Sequence, residues 1–90
     1  MVYQSLKNKK IIISAGASGI GLATTKVCLS RGAYVYLCDI DHKSLHKLNK
    51  HPQKNKRLFT FNCDASNEHQ VSDLFKKIIK KTKKIDALIN

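Results

Sequence analysis

Acidic residues are scarce in this chain, six against seventeen lysines and arginines, for a net charge of +11 over ninety residues. Such a balance ordinarily points to nucleic acid or an anionic membrane as partner. Yet arginine is nearly absent too, confined to Arg31 and Arg57, and aromatics make up only 7%. Nucleic-acid readers lean on arginine forks and stacking rings, so these lysines read as solvated faces rather than a binding code. No apolar run reaches the length of a membrane span. Three cysteines, Cys28, Cys38 and Cys63, are too few and odd in number for a disulfide framework. Each lies in or beside an apolar run, as a reduced thiol packed like a small hydrophobe would, which fits a cytoplasmic protein. A single proline leaves the chain free to form uninterrupted elements. Ninety residues make one small domain at most.

Lys9 and Lys10 ahead of residues 11–23 imitate a secretory signal, but Gly16, Gly19 and Gly21 interrupt the apolar run that such a signal needs. The pattern instead alternates strand and helix. Residues 10–14 form a β-branched run suited to a strand buried on both faces. Residues 20–31 read as a helix with Ile20, Ala23, Thr24, Val27 and Arg31 along one side, ended by Gly32 in the left-handed conformation. Residues 33–38 are a second strand. Asp41 caps a short helix carrying Leu45 and Leu48, which ends near Pro52. After a basic loop, residues 58–62 alternate into a third strand. Ser66 is the expected cap of a helix whose stripe is Val71, Leu74, Phe75, Ile78 and Ile79, and residues 85–90 begin a fourth strand. Strict alternation implies a parallel sheet. The expected fold class is α/β, a Rossmann-type doubly wound parallel sheet cut to about four strands and three helices.

Two features carry chemistry. The first strand runs into Ser14-Ala15-Gly16-Ala17-Ser18-Gly19-Ile20-Gly21 at the start of a helix. Glycines there let the chain turn sharply and let a pyrophosphate approach the backbone N–H groups, where the helix terminus favours an anion. Such a turn also occurs with no ligand, so it does not stand alone. Asp39 ends the second strand at about the ~20-residue offset where an acidic residue bonds the adenine ribose. Asp41 is better placed than Asp39 to cap the following helix.

Residues 14–21 resemble the Thr-Gly-x-x-x-Gly-x-Gly turn of the short-chain dehydrogenase/reductase family. Arg31-Gly32-Ala33-Tyr34-Val35 resembles its helix-to-second-strand junction, Cys63-Asp64-Ala65 its Asp-Val pair after the third strand, and residues 85–90 the run into its Asn-Asn-Ala-Gly motif. The resemblance runs from about Lys7 to the last residue. It implies that Ser14 braces the turn and Gly16 absorbs its bend. Ser18, Gly19 and Ile20 then meet the phosphates and ribose, and Gly21 lets the helix pack against the sheet. Asp39 binds the adenosine ribose with Ile40 against the adenine, Asp64 and Ala65 hold the adenine edge, and Asn90 begins a contact beside the ribose. The family's first glycine is Ala15 here, and its threonine is Ser14.

The implied cofactor is NAD, preferred over NADP because Asp39 repels a 2′-phosphate. Residues 1–90 are then the N-terminal half of a single NAD(P)-binding domain with no second domain. The intact enzyme would be an oxidoreductase on a small alcohol or ketone substrate, a homo-oligomer without nucleic-acid or membrane partners. The family's catalytic Ser and Tyr-x-x-x-Lys lie downstream of its Asn-Asn-Ala-Gly motif, so no catalytic residue is assigned and the ninety residues alone are expected to be inactive. Tyr3-x-x-x-Lys7 has the spacing but precedes the first strand. No metal site is expected either: His42 and His46, one helical turn apart with Cys38 nearby, lack third and fourth ligands. The other reading is a small basic nucleotide- or nucleic-acid-binding module complete in itself.

Overall fold

A computed structural model describes residues 5–15 and 17–89. The elements are β1 (Lys10–Ser14), α1 (Gly19–Ser30), β2 (Tyr34–Asp39), α2 (His42–Lys47), β3 (Leu58–Asn62), α3 (Glu68–Thr82) and β4 (Ala87–Ile89). A 3-10 turn at Leu48–Lys50 extends α2. The strands form one parallel sheet in the order β3-β2-β1-β4. Each helix therefore carries the chain back to start the next strand in the same direction, as a parallel sheet requires. The expected doubly wound arrangement is what the chain adopts.

Strand alternation divides the core in two. Ile11 and Ile13 of β1 with Val35 and Leu37 of β2 face one way, packed under Cys28 of α1 and Leu45 of α2. Ile12 and Tyr36 face the other way, under Ile78 of α3. Each fully buried Leu or Ile contributes about 1.5–3 kcal/mol relative to exposure, so both layers are needed to hold so small a sheet. Tyr36 stacks on Phe59 of β3 at 5.1 Å between ring centroids, extending the second layer toward the sheet's edge.

The helix ends follow local chemistry, with two differences from the sequence expectation. Gly32 does end α1 at a φ of +89°, and a Cβ there would stand 3.0 Å from the Lys7 Cα. Asp41 caps α2 by accepting from Lys43 N at 3.0 Å. The cap of α3 is Asn67, one residue beyond Ser66; its side chain accepts from Gln70 N at 3.1 Å. Ser66 is occupied instead by Asp64, whose Oδ1 accepts from both its N–H and its hydroxyl. On α1 the side carrying Ile20, Ala23, Val27 and Arg31 faces outward, with Ile20 88% and Val27 49% exposed. Thr25 and Cys28 are buried instead, with Leu22 and Leu29 packed beside them. Apolar residues lie all round α1, so periodicity did not single out the inner face.

Candidate nucleotide-binding site

The C-terminal ends of β1, β2 and β3 open onto one edge of the sheet, where ligands bind in open α/β folds. β1 delivers Ser14, whose hydroxyl donates to the Ile89 carbonyl at 3.5 Å and ties the turn to β4. The chain then bends through Ala15, at a φ of +54°. The bend thus falls at least in part on Ala15. Gly16, expected to absorb it, lies outside the described residues, as does Asn90.

Ser18 takes an extended conformation as N-cap of α1, and no side-chain bond caps the helix. No acidic residue stands in its first turn. The other two helices differ: α2 is capped by the Asp41 carboxylate, and α3 by Asn67 with Glu68 behind it. The first N–H groups of a helix have no partner within it and carry a partial positive charge. At α1 no side-chain hydrogen bond caps the helix, and the carboxylate that reaches this end, Asp39, bonds Ala17 N one residue before the N-cap. Gly19 has a φ of +56°, and a Cβ there would meet nothing within 4 Å, so the backbone is open to a close ligand. This open approach is an observation that fits a phosphate group.

Asp39 closes the edge from β2. It is 7% exposed, with Oδ2 accepting from Ala17 N at 3.1 Å and Oδ1 from Asp41 N at 2.9 Å. One carboxylate therefore joins the glycine-containing turn to the end of β2. Ile40 beside it is 64% exposed, and with Ile20 it leaves apolar surface flanking the edge. From β3 comes Asp64, whose carboxyl is held below the usual range by the Ser66 hydroxyl and then the Ser66 N–H. Both bonds fall on Oδ1. Gln70 of α3 accepts from Asp64 N at 2.9 Å and steadies that loop. Ala65 lines a 170 Å³ apolar cavity with Ile12, Ser14, Cys38 and Leu88.

Ser14, Ser18, Gly19, Ile20, Gly21, Asp39, Ile40, Asp64 and Ala65, all singled out from sequence, thus lie at or beside the C-terminal ends of three adjacent strands. His42 and His46 lie exposed on α2, whereas Cys38 is buried in β2. Burial, and then a hydrogen bond with Cys63, push the Cys38 thiol up to about 12; its Sγ donates to the Cys63 carbonyl at 3.4 Å. A thiol so placed behaves as core packing. Sequence reasoning missed the Ala17 N–H as partner of Asp39, and missed the bracing carboxamides of Asn62, which donates to the Asp39 carbonyl at 3.2 Å, and of Gln70. Strand register sets Asn62 beside Asp39, Gln70 reaches Asp64 from the first turn of α3, and no motif spacing announces these contacts.

Four parallel strands with helices on both faces and a glycine turn at the first strand's end define a Rossmann-like α/β protein. The family model described as "short chain dehydrogenase" matches residues 9–90. The chain belongs to the short-chain dehydrogenase/reductase family. It is 36% identical over 88 residues to sorbitol-6-phosphate 2-dehydrogenase of Klebsiella pneumoniae, covering 98% of this chain and 31% of that one. It is 33% identical over 85 residues to short-chain dehydrogenase reductase 3c of Arabidopsis thaliana, covering 94% and 33%. The 3-ketoacyl-(acyl-carrier-protein) reductase of Brucella melitensis, solved in complex with NADH, superposes with a TM-score of 0.81 at 25% identity, covering 93% and 34%. The chain spans about a third of the length of the relatives it matches.

Proposed function

We propose that this chain binds a nicotinamide dinucleotide at the C-terminal edge of its sheet, and takes NAD in preference to NADP. The observation that carries the reading is the pairing of an uncapped α1 N-terminus with the Asp39 carboxylate, tied to its turn through Ala17 N at 3.1 Å. In this reading Ser18, Gly19 and Ile20 receive the pyrophosphate, with Gly16 in the turn and Gly21 allowing α1 to lie close to the sheet. Asp39 accepts the ribose hydroxyls on lone pairs left over from its two backbone bonds. Ile40 and Ala65 cover the adenine, Asp64 takes its amino group on Oδ2, and Asn90 stands beside the ribose.

The ninety residues are then the first half of one dinucleotide-binding domain of an oxidoreductase acting on a carbinol or carbonyl. The bound nicotinamide supplies hydride transfer, while this chain's residues bind and orient it.

Cofactor choice tests the reading. A 2′-phosphate would sit against the Asp39 carboxylate, where like charges about 4 Å apart cost about 4 kcal/mol at an effective dielectric near 20. NAD should therefore bind at least about tenfold more tightly than NADP, a gap of only ~1.4 kcal/mol. Asp39→Ser should narrow or reverse that gap. Because Asp39 also holds Ala17 and Asp41, the substitution weakens the turn as well, so the ratio of the two affinities is the quantity to read. Calorimetric titration of both cofactors decides it; equal affinities for the unsubstituted chain would refute the preference.

A further inference from the structure

Asn62, the last residue of β3, is exposed and belongs to no nucleotide motif. Its Nδ2 donates to two carbonyls at the neighbouring strand end, Asp39 O at 3.2 Å and Ile40 O at 3.1 Å. Both partners can only accept, so chemistry fixes which way the carboxamide points. Parallel register sets Asn62 beside Asp39, and the Cys63 N–H reaches the same Asp39 carbonyl at 3.1 Å. Ile40 is in a different position. It lies past the end of β2 and before α2, outside any ladder. Among the described residues, the Asn62 carboxamide is the group that holds its carbonyl.

The geometry points to Asn62 as a positioning residue of the adenosine slot. It grips the two successive carbonyls of the turn that presents the Asp39 carboxylate and the exposed Ile40. This rests on the reading of the edge as a dinucleotide site and deepens it: Asn62 touches no nucleotide but sets the wall that does. The α1 N-terminus is reached through β1 and meets the gripped segment through the Asp39–Ala17 bond, so it feels the grip at second hand. Loss of Asn62 should therefore divide the site, weakening its adenosine half well beyond its phosphate half.

The test titrates 5′-AMP and inorganic pyrophosphate separately into the ninety-residue chain and into Asn62→Leu and Asn62→Asp. Leucine removes both donors at similar size, and aspartate turns an acceptor toward two carbonyls. AMP affinity should fall about tenfold in both variants, the scale of one net hydrogen bond, while pyrophosphate affinity stays within about twofold. Asn62→Ser serves as the third variant should either of these fail to fold. Unchanged AMP affinity in folded variants would overturn the positioning role, as would a parallel loss of pyrophosphate binding, which marks a merely structural residue. Should the unsubstituted chain bind neither probe, the dinucleotide reading itself falls and takes the inference with it.

Discussion

Ala15 shows how a single methyl group bears on the site. Its φ of +54° lies in the left-handed region, where a Cβ crowds the following carbonyl at a cost of roughly 1–2 kcal/mol. Glycine would relieve that crowding but lose more entropy on folding, an opposing term of roughly 0.4–1 kcal/mol. Relief wins by a modest margin. Ala15→Gly should stabilise the chain by about 0.5–1 kcal/mol, read as a higher urea midpoint at unchanged slope. A lower midpoint would show that the turn is not strained at Ala15. The strain was half legible in the sequence: alanine stands where the family's pattern has glycine, but only the backbone shows that Ala15 itself takes the left-handed angle.

At the scale of elements, legibility followed the strength of each local signal. β1 and β3 match their expected bounds because β-branched and alternating runs are bracketed by polar residues. β2 ran one residue later than expected, since Asp39 still pairs with Asn62 although its side chain reaches across to Ala17 N. The inner face of α1 was illegible because apolar residues ring that helix. The cap of α3 was misplaced by one residue because Ser66 and Asn67 are both good caps, and Asp64 claimed the serine. The junction of β1 and β4 carried no signal either. There Asp86 Oδ2 accepts from Lys10 N at 2.8 Å while Asp86 N donates to Lys10 O at 2.8 Å. The Lys10 N–H, and then Lys84, hold the Asp86 carboxyl below its usual range. A carboxyl depressed by folding stabilises the fold above its unfolded value near ~4, and that contribution is lost as pH falls through the folded value. Asp41 and Asp64 titrate in the same sense. Asp86→Asn keeps an acceptor for Lys10 N and removes one titration. It should flatten the decline of the urea midpoint below about pH 4. A decline as steep as in the unsubstituted chain would mean that Asp86 does not link protonation to folding.

Across the whole molecule charge is spread rather than sorted. Asp39, Asp41, Asp64 and Glu68 lie toward the C-terminal ends of the strands with Lys43 beside them, while Asp86 lies at the opposite pole with Lys9, Lys10, Arg57, Lys83 and Lys84. The excess of +11 therefore repels a second copy broadly rather than guarding any one edge. Among the described strands β4 pairs with β1 alone, so its other side presents unpaired backbone groups. Its residues Ala87, Leu88 and Ile89 include no charge, and Leu88 is 52% exposed. An apolar edge of this kind is a template for pairing with another chain. At low salt, long-range repulsion opposes that contact; the screening length shrinks from about 10 Å at 0.1 M to about 3 Å at 1 M, leaving the edge unopposed. The ninety-residue chain should therefore be monomeric at low ionic strength and self-associate as salt is raised. Leu88→Lys places a charge on the edge itself and should hold the chain monomeric at high salt. Sedimentation velocity at both ionic strengths measures this for the two proteins. A monomer with a sharp unfolding transition under both conditions in the unsubstituted chain would show that the β4 edge is protected by something other than charge.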